Sequence, residues 1–166
     1  MFRALGLVIA LLATLGLSAC GPSEKMKARA ANLTAGQAFL DKNAKAPGVV
    51  TLPSGVQYRI VRSGPAEGRK PTRADEVKVH YEGKLLDGTV FDSSYERGMP
   101  ASFPLDGLIP AWIEALQLMR PGDEWELFVP PAQGYGEHDK GPIPGNSVMV
   151  FRIELIDVLR ATPTPK

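Results

Sequence analysis

The spacing of apolar residues changes several times along the chain, and each change marks an element. From Ala4 to Leu17 the sequence ALGLVIALLATLGL is apolar on every side. At 14 residues it is shorter than the ~20 that an α-helix needs to cross a bilayer, so it predicts a cleaved leader rather than a span. GPSEKMKARAAN (Gly21 to Asn32) is polar and alanine-rich with no apolar stripe, and predicts a tether. Thr34-Ala35-Gly36-Gln37 has capping-box spacing ahead of Phe39-Leu40, which predicts a short helix over 35–42 within a lead-in spanning 34–47.

From Val49 the period becomes two. Val56, Tyr58 and Ile60 share one face of VQYRIVRSG, and Val77, Val79 and Tyr81 share one face of VKVHYEG against Lys78, His80 and Glu82. Asp87-Gly88 between two β-compatible runs predicts a hairpin with a primed turn, because glycine accepts positive φ. Trp125, Leu127 and Val129 alternate in one later strand, and Met149, Phe151, Ile153 and Leu155 in the last. Between the hairpin and these strands the period is helical. Ile109, Trp112, Ile113 and Leu116 follow i, i+3, i+4, i+7, Pro110 suits a first turn, and Arg120-Pro121-Gly122 is a stop signal.

These elements predict an α+β fold in which an antiparallel curved β-sheet wraps over one amphipathic helix. One domain over 48–160 accounts for them, followed by a disordered tail over 161–166. A long glycine- and proline-rich loop, Pro131 to Ser147, carries Tyr135 and Ile143, and long loops inside compact domains are commonly functional.

Composition narrows the chemistry. The 166 residues hold 19 Lys and Arg against 18 acids, and without Arg3 the count is 18 against 18. No basic footprint for nucleic acid remains. Cys20 is the only cysteine, which excludes an intrachain disulfide and metal sites built on several thiolates. It closes Leu17-Ser18-Ala19-Cys20, which resembles the lipobox of bacterial lipoproteins. That resemblance implies a signal peptide over 1–19 and a lipidated Cys20 heading a tether over 20–33. The protein would then be held by its acyl chains on the periplasmic side of the cell envelope, the outer membrane favoured by Gly21 in place of an aspartate.

His80 and His138 are the only histidines. The first alternates with core positions and is expected to face solvent; the second sits among Glu137 and Asp139 in the long loop, where a solvated cluster is the simpler reading. No phosphate-binding glycine loop is present, and the residues call for no cofactor or metal. Asp92 is the one acid set among aromatic and small residues, in TVFDSSYERG, where it serves either a pocket or the Ser93-Ser94 turn. Tyr81, Phe91, Phe103, Trp112, Tyr135 and Phe151 crowd the predicted turns, as core or as the lining of a site.

The stretch from Val77 to Gly136, with the ordered series Tyr-x-Gly, Phe-Asp-Ser-Ser, Ile-Pro-x-Trp and Tyr-Gly, and then IPGNSVMVFRIELIDV, resembles the FKBP-type peptidyl-prolyl cis–trans isomerases. LPSGVQYRIVRSG upstream is most similar to the macrophage-infectivity-potentiator-like bacterial branch. The resemblance implies an FKBP-like fold and a rotamase assisting the folding of envelope proteins. Its catalytic residues would be Tyr81, Phe91, Asp92, Tyr135 and Phe151, with Phe103, Leu108, Ile109, Trp112 and Ile143 binding substrate. Partners would be proline-containing unfolded or extended polypeptides and macrolide-type inhibitors, and the scant helix before Pro47 favours a monomer. A noncatalytic holdase gripping chains in the same groove, and a purely structural lipoprotein, stay open as alternatives.

Overall fold

The computed structural model describes residues 23–159. The leader, Cys20 and the tail lie outside the described residues. Two helices and seven strands follow in the order α1 (Glu24–Asn43), β1 (Val49–Thr51), β2 (Gln57–Arg62), β3 (Glu76–Leu85), β4 (Val90–Ser93), β5 (Ala101–Pro104), α2 (Pro110–Leu116), β6 (Glu124–Val129) and β7 (Met149–Leu159). All strand pairs are antiparallel, in the order β1-β2-β6-β7-β3-β4, with β5 also paired to β3.

Period-two alternation gives the sheet two faces, and the two helices cover different ones. Val77, Val79 and Tyr81 of β3, Trp125, Leu127 and Val129 of β6, and Met149, Phe151, Ile153 and Leu155 of β7 pack with Ala111, Trp112, Ala115 and Leu116 of α2. The intervening residues Phe128 and Val150 point the other way, onto Leu40 and Phe39 of α1. Burying a side chain of this size contributes roughly 1.5–3 kcal/mol, so the α2 face holds most of the apolar stabilisation. No helix among the described residues is long and apolar enough to cross a membrane.

Three expectations need correction. α1 is longer than the lead-in helix expected over 35–42: it runs from Glu24 to Asn43, through the segment read as a tether. Ser23, not Thr34, caps it, accepting from the Met26 N–H at 3.3 Å, while the Thr34 hydroxyl donates to the Ala30 carbonyl within the helix. Lysine, glutamate and alanine are strong helix formers, and an apolar stripe is not required of a helix held by polar contacts.

The hairpin after β3 has three loop residues rather than two. The Leu85 N–H donates to the Thr89 carbonyl and the Gly88 N–H to the Leu85 carbonyl, and Gly88 has φ +89°. Asn146 is the only non-glycine residue with positive φ among those described, so Asp87 does not adopt the primed geometry. Along the second strand segment the inward alternation holds at Val56, just before β2, and at Tyr58, whose ring stacks on Trp125 at 4.3 Å, and fails at Ile60. There the register with β6 shifts, and Ile60 is exposed.

Candidate functional site

Where α2 begins, the core opens to the surface as a cleft of about 410 Å³. β3 brings Tyr81 to it, β4 brings Phe91 and Asp92, β5 brings Phe103, and β7 brings Phe151. Leu108 and Ile109 lie on the entry to α2, whose first full turn carries Trp112, and the long loop supplies Tyr135 and Ile143. The ten residues singled out from the sequence within the folded domain therefore all line one hollow. Lys140, Gly141 and Pro142 line it as well, and sequence reasoning did not select them.

Trp112 is 4% exposed and forms the floor. Its ring meets those of Tyr81, Phe151 and Phe103 edge to face, at 5.2, 5.3 and 6.3 Å and interplanar angles of 84°, 85° and 82°. Phe91 meets Phe151 in the same way at 5.6 Å. Such contacts are worth about 0.5–1.5 kcal/mol each beyond area burial, so the rings fix one another and keep the hollow's shape without a ligand. The Trp112 indole N–H is buried and finds no acceptor among the described residues.

The polar edge is a three-residue network. Asp92 accepts from the Tyr81 hydroxyl on one carboxylate oxygen and from Arg97 on the other. Arg97 also donates to the Tyr81 oxygen at 3.0 Å, with its guanidinium 5.6 Å from the Tyr81 ring centre. Burial pushes the Asp92 carboxyl up, but the hydrogen bonds from Tyr81 and Arg97 and the arginine's charge outweigh it, leaving the group below its ordinary value. Burial raises the Tyr81 phenol, and its bond to Asp92 raises it further. Both groups are displaced away from neutrality, and a carboxylate already paired on both oxygens is a poor proton acceptor.

Arg97 was not singled out in the sequence. Its signal is its place five residues after Asp92 on a tight turn, where the Gly98 N–H bonds the Tyr95 carbonyl. Two donors on cleft-lining residues have no acceptor among the described residues, the Ile109 backbone N–H and the hydroxyl of Tyr135, a residue 40% exposed.

The histidines lie elsewhere. His80 was expected to be plain surface, yet it is half-buried on the sheet's other face, its Nδ1 2.9 Å from the Ser94 hydroxyl and its ring stacked on Tyr95 at 4.6 Å. Packing by the β4–β5 connection accounts for the difference. His138 is exposed, and no group of three or more candidate metal ligands exists among the described residues.

Comparison with known proteins gives these features a context. A family model described as "FKBP-type peptidyl-prolyl cis-trans isomerase" matches residues 67–156, and one described as "Domain amino terminal to FKBP-type peptidyl-prolyl isomerase" matches residues 18–60. The chain is 52% identical over 125 residues to the FKBP-type 22 kDa peptidyl-prolyl cis-trans isomerase of Escherichia coli, covering 75% of this chain and 60% of that one. It is 49% identical over 131 residues to the outer membrane protein MIP of Legionella longbeachae, covering 78% of this chain and 55% of the relative. The chain thus spans little more than half the length of these relatives. The crystal structure of FkpA from Escherichia coli matches with a TM-score of 0.79 at 42% identity, covering 83% of this chain and 64% of that one.

Proposed function

The chain belongs to the FKBP-type peptidyl-prolyl cis–trans isomerases, and from that premise we propose that it rotates X-Pro bonds of unfolded or extended polypeptides in the aromatic cleft. The observation that carries this reading is the convergence of Tyr81, Phe91, Trp112, Tyr135 and Phe151 on one hollow edged by an ionised Asp92.

An X-Pro amide resists rotation by about 18–20 kcal/mol because resonance gives its C–N bond double-bond character and places charge on its oxygen. Twisting the bond breaks the resonance and lowers the dipole. An apolar, water-poor hollow therefore disfavours the planar ground state more than the twisted one, and only such a differential effect accelerates the step. Phe103, Leu108 and Ile143 enclose the prolyl ring on the Trp112 floor, and Phe91 and Phe151 close the side where the amide turns. The Ile109 N–H and the Tyr135 hydroxyl bind flanking carbonyls, each such bond contributing about 1 kcal/mol net. Asp92, held by Tyr81 and Arg97, keeps the edge polar and accepts hydrogen bonds without moving a proton. Uncatalysed rotation takes tens to hundreds of seconds, slow enough to limit folding.

The test is turnover of X-Pro peptides by the unaltered chain and by Phe91→Ala and Asp92→Leu. Each variant is expected to lose about tenfold or more in kcat/KM, near 1.4 kcal/mol, while its circular dichroism is retained. Full activity in both folded variants would remove these residues from the site, and binding of the peptides by the unaltered chain without turnover would make it a holdase.

Residues 1–19 act as a lipoprotein signal, and Cys20 as the acylated start of a protein tethered to the outer membrane on its periplasmic side. The lone cysteine closing the apolar run supports this, as does the name of the Legionella relative. Labelled palmitate is expected on the unaltered protein and none on Cys20→Ser; label surviving the substitution overturns the anchor.

A further inference from the structure

Ile143 ties the long loop's part of the cleft wall to the core, and on its other side the loop faces α1. Between this loop and α1 lies a second hollow of about 180 Å³, bounded by Arg29 and Lys25 on one side and by Gly141, Pro142 and Ile143 on the other. What holds the loop against α1 is polar. Asp139 Oδ1 accepts from the Gly145 N–H at 2.9 Å and from Arg29 Nε at 3.0 Å, and a second arginine nitrogen lies 3.0 Å from it. Asn146 Nδ2 donates to the Arg29 carbonyl at 3.3 Å, and Asn32, one turn further along α1, donates to the Gly145 carbonyl at 3.1 Å.

The loop backbone is shaped to this contact. A Cβ on Gly145 would lie 2.0 Å from the Glu137 carbonyl oxygen and 3.1 Å from Arg29 Nε, so only glycine fits there. Asn146 holds φ +60°, a conformation that asparagine tolerates better than most residues. The pinned positions, Asp139 and Gly145-Asn146, bracket the four residues 140–143 that line the cleft. The N–H groups of Lys140 and Ile143 each donate to the other's carbonyl, so these residues move as one short ribbon.

We propose that Arg29, on the N-terminal helix, is a positioning residue for the cleft: through Asp139 and the Gly145-Asn146 backbone it sets where the Lys140–Ile143 wall stands against a bound peptide. The proposal rests on the isomerase reading above for its kinetic consequence but not for its structural one. Arg29 touches neither the cleft nor a reacting atom, so its loss changes how well substrate is held more than how fast the bound amide turns.

The experiment compares the unaltered chain with Arg29→Ala and Arg29→Lys. In Arg29→Ala the amides of 140–145 should exchange about 2- to 5-fold faster and KM should rise about 2- to 5-fold, with kcat held, the range for a partly exposed ion-pair network. Arg29→Lys, which keeps the charge but not the forked geometry, should recover only part of this. Unchanged amide exchange and KM in Arg29→Ala overturn the proposal, as does faster exchange with unchanged KM. If the unaltered chain turns over no peptide, the isomerase reading fails, and the dissociation constant of an X-Pro peptide replaces KM in deciding the role of Arg29.

Discussion

At Gly83 the sheet backbone and two cleft rings approach so closely that no side chain fits between them. A Cβ there would stand 2.6 Å from Phe91 and 2.7 Å from Phe151, the pair whose edge-to-face contact shapes the side of the cleft. Gly83→Ala must displace one ring, and overpacking of this kind costs about 1–3 kcal/mol. Urea denaturation should show that loss, and kcat/KM should fall with it. Phe91→Leu in the Gly83→Ala background should return part of the stability, because the two changes share one contact. An additive double mutant would show that the clash is absorbed elsewhere. Glycine in the middle of a strand signals close approach, but the identity of what approaches was not legible, since Phe91 and Phe151 come from different strands. Asp92 was legible as the acid of interest because its apolar neighbours set it apart; Arg97, one arginine among many, became distinct only once the turn folded it back onto Asp92 and Tyr81.

Among elements, the sheet and α2 were readable because each carries an apolar face at its own period. That period survives wherever the partner is a large core: β3 alternates through its whole core-facing length, and α2 begins at the proline that its first turn tolerates. α1 was misjudged for the same reason. It buries only Gly36 and Leu40, so its pattern has no stripe to detect, and it is held by polar contacts to a loop more than a hundred residues away. Gly36 also lets α1 lie close to Val148, since a Cβ there would come within 2.7 Å of the valine side chain. The three-residue hairpin shows a finer limit. Asp-Gly announces a turn, but the same dipeptide serves two- and three-residue loops, and the register of the flanking strands decides between them.

At the scale of the molecule, much of the fold's polar bracing converges on carboxylates, and this makes stability a function of pH. Asp75 accepts from both Arg69 nitrogens, at 2.9 and 3.2 Å, and from the Thr72 N–H and hydroxyl at 2.7 and 2.8 Å, while its own carbonyl receives the Leu105 N–H. The bond from Arg69, then those from Thr72, hold its carboxyl far below the usual range. Asp139 is lowered by the Gly145 N–H and then by Arg29, and Asp92 is lowered against its burial by Tyr81 and Arg97. In the unfolded chain all three return to an ordinary value of about 3.9, so between that value and their folded ones the unfolded state binds more protons. Their contribution is therefore complete above about pH 5 and is lost progressively as the pH falls through 4. Urea midpoints measured across this range should decline toward acid, and the decline should be shallower in Asp75→Asn, which starts less stable at neutral pH and converges with the unaltered chain in acid. Because Asp92 and Tyr81 are both shifted away from neutrality, turnover should stay level between about pH 6 and 8 and fall only where the midpoints fall. A bell-shaped rate profile near neutrality in a fully folded protein would instead assign the cleft a proton-transferring group, and a medium-driven rotation of the amide would no longer explain the activity.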